Sequence, residues 1–206
     1  IVMNPSQVGF YRVKYDETLF KQKVKALKQW SVLDKLGFLS DTYALTRACY
    51  YKATDFMALL QSYEGETDYT LWGEVAGSLG TLQFFFAQYP FAQSLDQYTI
   101  KLFLKIYNQI GWEERKGEQH TVTLLRMIIL STLGSSNHQP TLEEAQKRFL
   151  QQRNEKNLSP NLRSVVYALA AWSGNKETYN HLLKLYRESN LQEEKVRVLA
   201  ALSSFQ

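Results

Sequence analysis

The chain has 206 residues, 45% of them hydrophobic and 21% charged, and its 24 basic and 20 acidic side chains leave a net charge of +4. That length supports a sizeable core, as one large domain or two small ones, and the composition excludes a disordered tail. Charges of both signs are spread along the sequence, which argues against a nucleic-acid partner, and no run approaches the ~18 apolar residues of a transmembrane segment.

The opening "IVMNPS" shows neither a signal-peptide pattern nor an initiator methionine, and reads as a cut through a longer protein. "GFYRVKY" then alternates as strands do, which predicts one short strand over residues 9–15. A lone strand cannot satisfy its own backbone, so it is expected to lie unpaired or to pair outside the chain.

After Asp16 the apolar period changes to about 3.6 residues and stays there. Phe20, Val24 and Leu27 share a face, as do Leu36, Leu39 and Tyr43, then Phe56, Leu59, Leu60 and Tyr63. Trp72, Val75, Leu79, Leu82 and Phe86 make the clearest stripe, followed by Ile100, Phe103, Tyr107 and Ile110. "VTLLRMIIL" is apolar almost all round and predicts a helix buried on several sides. The remaining stripes run through Leu142 and Phe149, Val165 and Leu169, Leu182 and Tyr186, and Val196 and Leu199. About ten helices result, of which the last, "VRVLAALSSFQ", lacks the polar face of a terminal repeat.

Local chemistry marks the boundaries. Thr141 with Glu144 reads as a capping box, Ser159 followed by Pro160 as a helix start, and Pro90 and Pro140 as breaks between helices. Gly73, Gly77 and Gly80 are spaced for close helix approach, and most aromatic residues fall on core stripes. The expected fold is mostly α, a superhelical stack of antiparallel helix pairs of the HEAT or armadillo kind. The helix-pair spacing of about 35–45 residues favours such an array over a compact bundle.

No catalytic machinery emerges from the residues. His120, His138 and His181 form no H-E-x-x-H pair, and there is no phosphate-binding or nucleophile-elbow motif. Cys49 is the only cysteine; within "TRACYY" it reads as a small buried hydrophobe on a helix rather than half of a thiol pair with His120 or His181. Arg126 stands out as the only charge in a long apolar run. Such a residue is either bonded to a carboxylate or helix-end carbonyls, or it borders a binding surface together with Glu118 and His120.

Several stretches in order carry a resemblance: "NPSQVGFYRVKYD", "DKLGFLSDTYALTRA", "DYTLWGEVAGSLGTL", "IGWEERKGEQHTVTLLR", "TLEEAQKRF", "LSPNLRSVVY" and "LQEEKVR". Together they resemble the C-terminal helical domain of the M1 zinc aminopeptidases, in particular the puromycin-sensitive branch. The resemblance implies a division into residues 1–16, the last strand and linker of a preceding β-sandwich, and residues 17–206, a helical superhelix incomplete at its C-terminus. It implies no cofactor in this chain, with zinc in the parent enzyme's catalytic domain. The partners it implies are the parent's own catalytic and β-sandwich domains and a peptide substrate. With the lone cysteine it implies a cytoplasmic setting. Arg126, His120 and Glu118 become candidates for lining the chamber that this domain closes over the catalytic cleft. The other reading is a stand-alone HEAT-like scaffold for a protein partner.

Overall fold

The structure, a computed structural model, describes residues 2–155 and 158–205, the side chains of 153–155 excepted. Ten α-helices and three short 3-10 turns make up its regular structure, and no strand occurs among the described residues. The chain divides into two compact units, Ile1–Leu95 and Asp96–Gln206.

The first unit contains α1 (Glu17–Ala26), α2 (Val32–Arg47), α3 (Ala53–Leu60) and α4 (Tyr69–Phe86). Three of these helices start on a side chain that accepts from an otherwise orphaned backbone N–H: Asp16 from Leu19, Ser31 from Asp34, and Asp68 from Thr70 and Leu71. α2 packs against α3 and α4. The predicted stripes meet there, burying Leu39, Phe56, Leu60, Tyr63, Leu71, Trp72, Val75 and Leu79. Each such side chain contributes roughly 1.5–3 kcal/mol of hydrophobic stabilisation. Polar groups inside are paired: Lys35 Nζ lies 2.8 Å from Glu66 Oε1, the Tyr63 hydroxyl donates to the Lys35 carbonyl, and the Trp72 indole donates to the Glu66 carbonyl.

The strand expected over residues 9–15 does not form. The chain bends at 9–11 and takes no regular structure over 12–16, and side chains take the place of a neighbouring strand. Val13 N–H donates to Asp41 Oδ2 at 3.0 Å, and Arg12 Nη1 donates to Asp41 Oδ1 at 3.0 Å. The Tyr51 hydroxyl accepts from Tyr15 N–H and donates to the Tyr15 carbonyl, both at 2.8 Å. Upstream, the buried Asn4 side chain bonds both N–H and C=O of Gly9, across a turn in which Asn4, Ser6 and Gln7 all have positive φ. The alternating pattern therefore produces a strap along α2 rather than a ladder.

Three further expectations in this unit are corrected. Cys49 is exposed and lies beyond the end of α2. Its φ of 62° closes a Schellman motif, with Cys49 N–H on the Thr46 carbonyl and Tyr50 N–H on that of Leu45. A Cβ added at Gly77 or Gly80 would meet nothing within 4 Å, so neither glycine serves close helix approach. Phe84, Phe85, Tyr89 and Phe91 are exposed around the turn containing Pro90, although Phe86, Tyr89 and Phe91 pack ring against ring.

α5 (Ala92–Ile110) begins in the first unit and continues into the second. The second unit then adds α6 (His120–Ser135), α7 (Gln139–Glu155), α8 (Arg163–Trp172), α9 (Lys176–Glu188) and α10 (Gln192–Leu202). α8 is its centre, packed against α6, α7, α9 and α10. Its Val166, Tyr167, Ala170 and Ala171 have no exposed surface. They join Trp112, Leu130, Phe149, Leu162, Leu182 and Val198 in one core. Gly134 on α6 does serve close approach: a Cβ there would lie 2.2 Å from Leu169 Cδ2 on α8.

α7 begins before the capping box read from the sequence. The His138 carbonyl accepts from Thr141 and Leu142 N–H, which puts Pro140 in the first turn, where its missing N–H is harmless. Thr141 Oγ1 instead meets His138 Nδ1 at 2.8 Å, and Glu144 turns to Arg148. Ser159 and Pro160 precede α8 by a turn, closed by Leu162 N–H on the Ser159 carbonyl.

Candidate functional site

Three of the sequence candidates lie where α5 ends and α6 begins. Gly111, with φ 56°, ends α5 by donating its N–H to the Tyr107 carbonyl at 2.8 Å. The chain then loops through 112–119 and enters α6 at His120. Trp112, buried in the core of the unit, anchors the start of this loop.

Arg126 points back from α6 beneath the loop and has no exposed surface. It donates from Nη1 to Glu118 Oε1 at 2.6 Å and from Nη2 to Glu118 Oε2 at 2.8 Å, the bidentate geometry that suits a planar guanidinium. Nε donates to the Gly111 carbonyl at 3.1 Å and Nη2 also to that of Ile110 at 3.4 Å. The cation thus sits at the C-terminal end of α5, where unsatisfied carbonyls and the helix dipole favour it. Hydrogen bonding from Arg126 is the main reason why the Glu118 carboxyl titrates below its ordinary value. His120 is the exposed first residue of α6, and no hydrogen bond or ion pair links it to Arg126 or Glu118 among the described residues.

The rest of the loop is tied to α7 and to the approach to α8. Glu113 and Glu144 both accept from Arg148, whose guanidinium lies 4.9 Å from the Trp112 ring centre. Glu114 accepts from Ser159 Oγ at 3.1 Å and from Asn161 Nδ2 at 2.8 Å. Between these elements runs an open groove of about 530 Å³, bordered among others by Glu113, Glu114, Lys147, Arg148, Gln151 and Leu158. The sequence reading missed Arg148 and Glu114. Only the i, i+4 spacing of Glu144 and Arg148 hinted at one contact; the others join residues tens of positions apart.

No group of three or more His, Cys, Asp or Glu residues able to hold a metal ion comes together among the described residues. Among them, too, no helix is long and apolar enough to cross a membrane.

Comparison with known proteins supplies what this geometry does not. The model of the ERAP1-like C-terminal domain matches residues 1–206. Aminopeptidase M1-A of Oryza sativa subsp. japonica is 35% identical over 214 residues, covering 99% of this chain and 24% of the relative. Aminopeptidase M1 of Arabidopsis thaliana is 33% identical over 99% of the chain and 24% of its own length. For the puromycin-sensitive aminopeptidase of Caenorhabditis elegans the figures are 26%, 98% and 22%. The chain spans about a quarter of the length of these relatives. It belongs to the ERAP1-like C-terminal domain family, the helical domain that forms the C-terminal part of M1 aminopeptidases.

Proposed function

We propose that the chain is the non-catalytic C-terminal domain of a zinc metalloaminopeptidase that removes N-terminal residues from peptides, and that it closes the catalytic chamber and governs which peptides enter. The observation that carries this reading is the match along the whole chain to relatives named as aminopeptidases, of which it spans about a quarter. In this reading zinc, which activates the attacking water, is held by the upstream catalytic domain with no ligand from this chain. The upstream partners are that domain and a β-sandwich to which residues 1–16 belong, and the parent enzyme is cytoplasmic.

Arg126, Glu118 and His120 border the chamber in different ways. Arg126 has its donors engaged by Glu118 and the α5 carbonyls, so it shapes the α5–α6 loop rather than meeting substrate. His120 is exposed and available to a peptide's C-terminal carboxylate, and Lys147 is an exposed cation that would exchange its ion pair with Glu144 for that carboxylate.

The test is made in the full-length enzyme with His120→Ala and Lys147→Ala, assayed on long peptides and on a single-residue aminoacyl reporter. A loss confined to long peptides supports control of access by this domain. Unchanged selectivity in both variants, together with unchanged selectivity on deleting residues 17–206, would refute it.

A further inference from the structure

Charges of both signs occur throughout the chain, but the excess of positive charge does not. Residues 12–28 hold six basic and two acidic side chains, and the rest of the chain balances 18 against 18, so the whole +4 lies in this segment. No acidic residue occurs from 18 to 33. Four of the six cations stand on α1 and on the 3-10 turn Leu27–Gln29 that continues it. α1 has no buried residue and is held by one side only. There Phe20 packs on the rings of Phe38 and Tyr51, and Lys23 lies over the rings of Tyr15 and Trp30. At about 100° and 1.5 Å per residue, Lys21, Lys25 and Lys28 fall in one row, about 60° wide and about 10 Å long, clear of that side. All three are exposed. Lys21 meets Glu17 at 2.5 Å in a pair open to solvent. No hydrogen bond or ion pair engages the side chain of Lys25 or Lys28 among the described residues.

We propose that the row Lys21, Lys25 and Lys28 is a docking surface for an acidic helix of a separate protein, one that carries carboxylates on a single face at the same spacing of four and three residues. Charge complementarity carries the choice of partner. Two helices with matched rows bring each ammonium group to its own carboxylate, and lysine, a point charge on a flexible stem, suits separate carboxylates better than one bidentate anion. Glu17 then gives up Lys21 to the incoming carboxylate, an exchange between solvent-exposed ion pairs that costs little. A membrane surface fits less well. Docking on lipid needs apolar side chains on the cationic face, whereas Leu19, the exposed apolar residue of α1, projects about 160° away from Lys21, and Glu17 stands in the row itself. A permanent contact within one polypeptide fits poorly too, because such interfaces bury apolar residues and this row has none. Its chemistry is that of a reversible, salt-sensitive association in which charge steers the encounter.

The test uses the full-length polypeptide and a labelled alanine-based helical peptide with glutamates in one such row, followed by fluorescence anisotropy. A second peptide of the same composition has its glutamates scattered around the helix. The rowed peptide should bind at least about fivefold more tightly than the scattered one, and its affinity should fall about tenfold or more between roughly 0.05 and 0.3 M salt. The triple variant Lys21→Gln, Lys25→Gln and Lys28→Gln should weaken binding at least about tenfold. Glutamine keeps the helix propensity, and unchanged circular dichroism confirms the fold. Lys101→Gln, Lys176→Gln and Lys184→Gln together remove the same charge from exposed positions elsewhere and should change binding by less than about twofold. Equal loss in the two triple variants, equal affinity for the two peptides, or no binding by the native polypeptide overturns the proposal. So does binding to phosphatidylserine vesicles that depends on the same three lysines while the peptide goes unbound, which would make the row a lipid surface.

Discussion

Arg126 donates to both carboxylate oxygens of Glu118, at 2.6 and 2.8 Å, from a side chain with no exposed surface in the middle of an apolar helix run. A guanidinium buried without partners would be strongly destabilising; here the carboxylate and the last carbonyls of α5 replace its water. Removing either partner strands the other. Arg126→Ala and Glu118→Ala should each destabilise the chain by about 3 kcal/mol, and the double variant by clearly less than the sum. Urea titrations give the three values, and additivity within about 0.5 kcal/mol would show that the pair is not coupled.

The same contact fixes an acid dependence. Glu118 is held below its ordinary value of 4.5, first by the hydrogen bond from Arg126. In that range the unfolded chain binds more protons than the folded one, so stability falls as pH drops. The contribution is fully present above the unfolded value and is lost as pH falls through the lower folded value. Between pH 5 and 3, Glu118→Gln should lose stability less steeply than the native chain in denaturant titrations. Parallel curves would refute the assignment.

His138 should titrate below the usual histidine value, because burial disfavours its imidazolium. Its depressed value means that the unfolded chain takes up the proton first, so stability declines as pH falls through the ordinary value near 6.5. NMR titration of the ring protons checks the direction, and His138→Asn should flatten the dependence of stability between pH 7 and 6. A ring that titrates at or above 6.5 would contradict this.

Cys49 occupies the left-handed position that ends α2, with φ 62°, where a Cβ is strained and glycine is not. Cys49→Gly should therefore stabilise the chain by about 1 kcal/mol, relief of the left-handed strain outweighing glycine's larger loss of freedom on folding. The native thiol, being exposed, should react with a thiol reagent as readily in the folded chain as in the unfolded one. Destabilisation by the glycine, or a thiol protected in the folded state, would contradict this geometry.

Gly134→Ala tests the close approach of α6 to α8 in the second unit. The new methyl would lie 2.2 Å from Leu169 Cδ2, and Leu169 is itself buried. A loss of about 1–3 kcal/mol is expected. Adding Leu169→Ala, which vacates that space, should cost less than the two single changes combined. Thermal unfolding of the four chains gives the coupling, and its absence would mean that α6 and α8 adjust freely.

The sequence alone determined the helices, because an α-helix satisfies its backbone within itself and its apolar period records which face is buried. The stripe from Trp72 to Leu82 and the all-round apolar run containing Arg126 became buried helices as that argument requires. It also pointed to the partner class of Arg126, since a cation amid apolar residues admits few solutions. Tertiary structure decided which carboxylate and which carbonyls those were, and it tied Glu113 to Arg148 and Glu114 to Asn161 across tens of residues. It decided that "GFYRVKY" became a strap, because alternation prescribes an extended chain but not the group that satisfies its backbone. It placed Cys49 in solvent and left open space where a Cβ at Gly77 or Gly80 would point, positions that follow from where a helix stops and what lies opposite it. Local periodicity holds no information on either, since both depend on contacts between residues distant in the chain.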